Sequence, residues 1–415
     1  MSEDLSGDDP VICGAIHALF WMAAANGVGL LLAFLLLVPK AGLIFGELTY
    51  GRWLPLHLNW QLYGWTALPL VAWVFALLPQ SRKRFARASC LGIRAWSGVL
   101  MLGGCYWLGG LTSGKIFLDW TGLLRILFPV VILFLWGVLA VSWWYDENRN
   151  WLTVPGLAVL LGVPFGMYFA TDPAVYPAVD QSTGGPTGAS LLNSTLSVIF
   201  LLLFLPRSLG AKALRPQFNW IIFGVFGANL ILGAFASTLP HEHRHPGQIA
   251  CLASLALWLG LLPWYFARQS WLRPCLRWRK AMFLWLGLLI VNGVVSFLPG
   301  ILDRLKFSDA LVAHSHLAMA GFTTSFLIVV LQQILPQSLA TVFDDGRLFM
   351  AWHLATAVYV GAMLAAGFLA ANDPSFTIHP GLWRDSLYFL RLLCGAVLFT
   401  VSLSWWRSFQ GILRS

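Results

Sequence analysis

The sequence predicts an all-α polytopic membrane protein with twelve transmembrane helices. Three observations carry this reading. Of 415 residues, 58% are hydrophobic and only 10% charged, with 22 Trp and 29 Phe, a balance foreign to soluble domains. The apolar residues are gathered into long blocks, each able to cross a hydrocarbon core of ~30 Å at about 1.5 Å per helical residue. The positive charge, finally, falls in alternate connections between the blocks.

The blocks lie at 11–38, 55–79, 92–111, 121–145, 151–171, 187–206, 217–239, 247–267, 280–298, 308–335, 348–371 and 385–406. The fifth is the least regular, because Pro155, Gly162, Pro164 and Gly166 interrupt it. Arg82, Lys83, Arg84 and Arg87 follow the second block, and Arg207, Lys212 and Arg215 the sixth. Arg268, Arg273, Arg277, Arg279 and Lys280 follow the eighth. The connections after blocks 3, 5, 7 and 11 are poor in Lys and Arg, and 172–186 has none. The positive-inside rule then puts both termini in the cytoplasm, as expected for a bacterial-type inner membrane. Residues 1–10 and 407–415 are read as cytoplasmic tails around a membrane domain at 11–406. The acidic start, Met1 to Pro10, does not have the form of a cleavable signal peptide, so the first block is expected to act as its own anchor.

The net charge of +9 is thus a topology signal, and nucleic acid is not an expected partner; lipid is. Six scattered cysteines show no Cys-x-x-Cys and no haem-attachment motif, so they read as packing residues. The turn-rich stretch Asp180–Gly188 has no lysine and opens no strand–helix unit, which argues against a phosphate cradle. No soluble domain and no internal repeat beyond the helices is evident.

The histidines carry the chemistry. His314 and His316 lie inside the tenth block, where an imidazole without a partner is costly. Two residues apart on a helix, they point about 200° apart and serve opposite sides. His57, near the outer end of the second block, shares their depth. A haem with two axial imidazoles needs ligands at one depth on neighbouring helices, and a second haem needs only one such bond. Three histidines bonded to carbonyls or water are the alternative. His17 and His353 lie at the inner ends of their helices and read as hydrogen-bonded core or interfacial residues.

Val312-Ala313-His314-Ser315-His316-Leu317-Ala318 resembles the tenth-helix signature of the haem–copper oxidase catalytic subunit, closest to its nitric oxide reductase and C-type oxidase branch. His57-Leu58-Asn59, followed by Gly64-Trp65 and Pro79-Gln80, resembles the second-helix signature of that branch. The resemblance implies a cytochrome c oxidase subunit I-like bundle binding b-type haem in a respiratory complex. It implies His57 and His316 as axial ligands of a low-spin haem b, and His314 as the proximal ligand of a second, high-spin haem. Arg52, Arg304 and Arg384 are the candidate partners of haem propionates. Electrons would come from a partner subunit carrying c-haem or copper, or from quinol.

The sequence also departs from that pattern. The family places a copper or non-haem iron opposite the high-spin haem, held by a histidine of helix 6 and an adjacent His-His pair between helices 7 and 8. Residues 189–206 contain no histidine. The later loop offers His241, His243 and His245 in alternation, which either bind a metal from one face of an extended segment or are simply solvated. A complete binuclear centre is therefore not expected, and an oxidoreductase activity on oxygen or nitric oxide stays open. A cofactor-free twelve-helix transporter and a non-catalytic assembly subunit are the competing readings.

Overall fold

The computed structural model describes residues 9–415 except 116, 148, 177–186, 215–218, 241, 243, 244, 272, 274 and 307. Among the described residues, eleven helices are long and apolar enough to cross a membrane, so the chain is a multi-pass integral membrane protein. It divides into two units: Met1–Ala178, Val330–Tyr359 and Asp385–Ser415 form the first, Val179–Val329 and Val360–Arg384 the second.

The first unit is laid around α1 (Pro10–Leu37). Asp9 caps it, its carboxylate accepting the Val11 N–H at 2.8 Å, and Pro10 occupies the first turn, where a missing N–H costs nothing. Against α1 pack α2 (Tyr50–Asn59), a π-helical turn at Trp60–Thr66, α3 (Ala67–Ala76) and α4 (Ala86–Leu108). The expected span at 55–79 is a helix in three consecutive pieces, as is Asp309–Ile334, but unlike that segment it is not among the eleven. Then come α5 (Leu124–Trp144) and α6 (Thr153–Ala170), packed on each other. Pro164 and its glycines do not prevent α6 from forming. Its terminal carbonyls instead take cations, Arg125 of the first turn of α5 on Tyr168 O at 2.9 Å and Lys115 of the α4–α5 connection on Ala170 O at 2.7 Å.

In the second unit α7 (Gly188–Ser208) starts from a capping box, Thr187 and Ser190 each bonding the other's backbone N–H. α7 packs on α8 (Asn219–Thr238) and on α9 (Pro246–Ala253), which runs through a 3-10 turn at Ser254–Leu257 into α10 (Trp258–Ala267). A short antiparallel ladder pairs Lys212–Ala213 with Gln269–Ser270. Trp258 donates to Asn229 at 2.7 Å, and Asn193 to Ser237 at 3.0 Å, polar contacts that join helices inside an apolar medium. α11 (Leu276–Ser296) lies along a second π turn, Leu317–Thr323, set between α12 (Asp309–His316) and α13 (Thr324–Ile334). The remaining long helices are α14 (Gly346–Asn372) and α15 (Leu382–Arg414). Five of the six cysteines are buried and Cys105 is exposed; all are free thiols.

Candidate cofactor site

Both π turns begin three residues after a histidine, His57 in one and His314 in the other. Aligning them exposes a repeat that inspection of the helices alone misses. His57-x-Asn59-x4-Gly64-Trp65-Thr66 matches His314-x-His316-x4-Gly321-Phe322-Thr323. The expectation of no internal repeat is corrected on this point.

The two copies are built alike, each within its own unit. His57 Nδ1 meets the Ala25 carbonyl of α1 at 2.8 Å, and His314 Nδ1 meets Asn292 Oδ1 of α11 at 2.7 Å. Oxygen acceptors of this kind hold the proton on Nδ1, so each neutral ring keeps its lone pair on Nε2. Two residues on, the side chain folds back on its own helix. Asn59 Nδ2 donates to Pro55 O at 2.9 Å and His316 Nδ1 to Val312 O at 2.8 Å. The glycine of each copy then admits a tryptophan from the same helix that holds the histidine. A β-carbon on Gly321 would stand 2.6 Å from Trp285 Cδ2, and one on Gly64 would collide with Trp21.

A π turn leaves carbonyls short of their usual partners, and each is given others. Trp96 Nε1 donates to Tyr63 O at 2.9 Å. In the second copy Thr324 Oγ1 donates to Met319 O at 2.9 Å and Ser325 Oγ to Gly321 O at 2.7 Å. The closing threonines behave differently. Among the described residues Thr66 Oγ1 is buried without a hydrogen-bond partner, and Thr323 lines a cavity.

That cavity, about 210 Å³ in volume, lies wholly within the second unit and touches His314. Its walls are mostly Leu, Ile, Val and Phe from α7, α11 and the π turn. A pocket for a drug-sized ligand spans roughly 300–1,000 Å³, and a haem is larger than such ligands. The ring nitrogen of His314 suits an iron, but the cavity beside it is too small for a porphyrin. In each of His57 and His316 an oxygen on Nδ1 fixes the ring's orientation and raises basicity at Nε2.

The remaining expected residues separate clearly. Regular helix continues through His316, so His314 and His316 leave α12 on opposite sides as expected. Arg52 pairs with the exposed Glu47 at 3.3 Å, Arg304 is exposed, and Arg384 is buried with its Nε on Thr377 O at 3.2 Å. His17 bonds Ser97 Oγ at 2.7 Å, a core contact as expected. His241 and His243 lie outside the described residues. His245 stands at the N-cap position of α9, and its buried Nδ1 has no hydrogen-bond partner among the described residues. Among the described residues, no group of three His, Cys, Asp or Glu side chains could hold a metal.

One residue escaped the sequence reading. Arg391, buried in α15, lies 5.7 Å from the Tyr359 ring centroid and near enough for its charge to act on His57. A lone arginine inside the last apolar block was the available signal.

No known family model matches the chain, and no curated protein matches its sequence.

Proposed function

We propose that this protein is a b-type haem protein of the bacterial cytoplasmic membrane, divergent from the haem–copper oxidase catalytic subunit. Both termini are cytoplasmic in this reading. His57 and His316 are the axial ligands of a low-spin haem, and electrons enter from quinol or from a partner subunit carrying c-haem or copper. An iron between two imidazoles changes oxidation state without changing ligands and supplies one-electron transfer. The chain's own part is to fix the two rings. The observation that carries the reading is the Ala25 carbonyl on His57 Nδ1, a bond that orients Nε2 as ligand and leaves that ring no other neutral tautomer.

The resemblance of residues 312–318 and of His57-Leu58-Asn59 to the family signatures supports the same assignment. The missing histidine on α7 speaks against oxygen or nitric oxide reduction at a haem–metal pair. Expression in haem-replete cells, followed by an optical spectrum of the purified protein, tests this. The expected result is a Soret band with the sharp reduced bands of a bis-imidazole haem, lost in both His57→Ala and His316→Ala. A haem-free protein would defeat the proposal and favour the transporter reading.

A further inference from the structure

The cavity beside His314 has a chemistry of its own. Leu255, Leu286, Ile290 and Phe322 line it, and no Lys, Arg, Asp or Glu does. A ligand there must be uncharged, because no counter-charge offsets the loss of hydration. A cavity of about 150 Å³ with walls of this kind takes benzene, and this one is about 210 Å³, room for one substituted ring.

Four polar residues interrupt the apolar lining: Ser194 and Thr195 of α7, His314, and Thr323 of the π turn. The Ser194 hydroxyl is already bonded, as are those of Ser197 on α7 and Ser296 on α11. Ser194 turns back onto Leu191 O at 3.0 Å, Ser197 onto Asn193 O at 3.1 Å and Ser296 onto Asn292 O at 2.7 Å. The hydroxyls of Thr195 and Thr323 make no hydrogen bond among the described residues, and neither does His314 Nε2. A few polar groups in a mostly apolar pocket are the points at which a ligand is oriented.

We propose that this cavity binds an uncharged one-ring phenol, its hydroxyl donating to His314 Nε2 and Thr195 and Thr323 bonding its polar substituents. Asn292 sets the direction of the first bond. By holding the proton on His314 Nδ1, it makes Nε2 an acceptor, so the ligand must bring the donor. The proposal does not rest on the haem at His57 and His316.

Phenol and benzene are the probes, titrated calorimetrically into the full chain in detergent. The expected result is one phenol per chain, bound about three- to tenfold more tightly than benzene, the worth of one net hydrogen bond. His314→Leu should bring phenol down to benzene, and Leu286→Trp should abolish both by filling the space. Should His314→Leu fail to fold, Thr323→Val serves with resorcinol, a phenol bearing a second hydroxyl, as the probe: resorcinol should be weakened, and phenol and benzene unchanged. Equal affinities in the unaltered protein, or binding that survives Leu286→Trp, would overturn the proposal. So would loss of a haem absorbance in His314→Leu, because His314 would then hold iron. A protein without a Soret band that still discriminates phenol from benzene would defeat the haem reading alone.

Discussion

Gly29 lies so close to His57 that a β-carbon on it would stand 2.7 Å from the imidazole Cε1. The ring is thus held against one face of α1, by the Ala25 carbonyl and by the bare backbone one turn later. Gly29→Ala is expected to displace the ring and cost about 1–3 kcal/mol, the range for overpacking a tight site. The haem absorbance of the purified protein should fall with it. Gly98→Ala is the control: nothing lies within 4 Å of a β-carbon there, so helix propensity alone acts and the protein should keep its spectrum.

The two π turns should fail in parallel. Gly64→Ala and Gly321→Ala each force a methyl group into a tryptophan, Trp21 or Trp285. Each is expected to lower the midpoint of thermal unfolding. Gly137→Ala, at an open position in α5, should not.

Arg391 offers an electrostatic readout. It is 7% exposed and its charge reaches His57. A buried positive charge favours the reduced form of a nearby iron, which carries one positive charge fewer. Arg391→Gln is therefore expected to lower the midpoint potential of the haem in a redox titration, and Arg391→Lys to restore most of it. Unchanged potentials in both would remove Arg391 from the site.

The loop between α4 and α5 has a pH signature. Burial pushes the Asp119 carboxyl above the usual carboxylate range, against the Ser113 bonds and the Lys115 charge that lower it. The native state then holds this proton more tightly than the unfolded chain does, so stability falls as pH rises from the ordinary value to the raised one. Asp119→Asn still accepts from Ser113 N and Oγ and should flatten that part of the profile. Asp172 has the opposite sign. The Ala174 N–H and Arg125 hold its carboxyl low, so its contribution is present above the ordinary value and lost as pH falls through the lowered one. Denaturant midpoints across the acid range separate the two.

Most of the membrane architecture was legible because long apolar blocks admit few other solutions. The second and tenth blocks each carry a π turn within the helix, a feature that was not legible, since hydropathy carries no information about where a helix widens. The opposite exits of His314 and His316 followed from helix geometry. The likeness of His57 to His314 did not, although the seven-residue step from each histidine to its glycine was visible. Its meaning lies in Trp21 and Trp285, which come from elsewhere in the chain. The His241–His245 reading falls where two of the three histidines lie outside the described residues. The anchors at Nδ1, Ala25 O and Asn292 Oδ1, belong to tertiary packing, which local pattern does not encode.

The two cradles differ in one respect that bears on how such a protein diversifies. Where the second copy has His316, the first has Asn59, and each bonds the carbonyl four residues back. Asparagine there occupies the same backbone contact without offering a ligand nitrogen to a metal. Each copy is thus one side chain from the other's ligand count, and a chain carrying both can gain or lose a metal-binding position without rebuilding a helix.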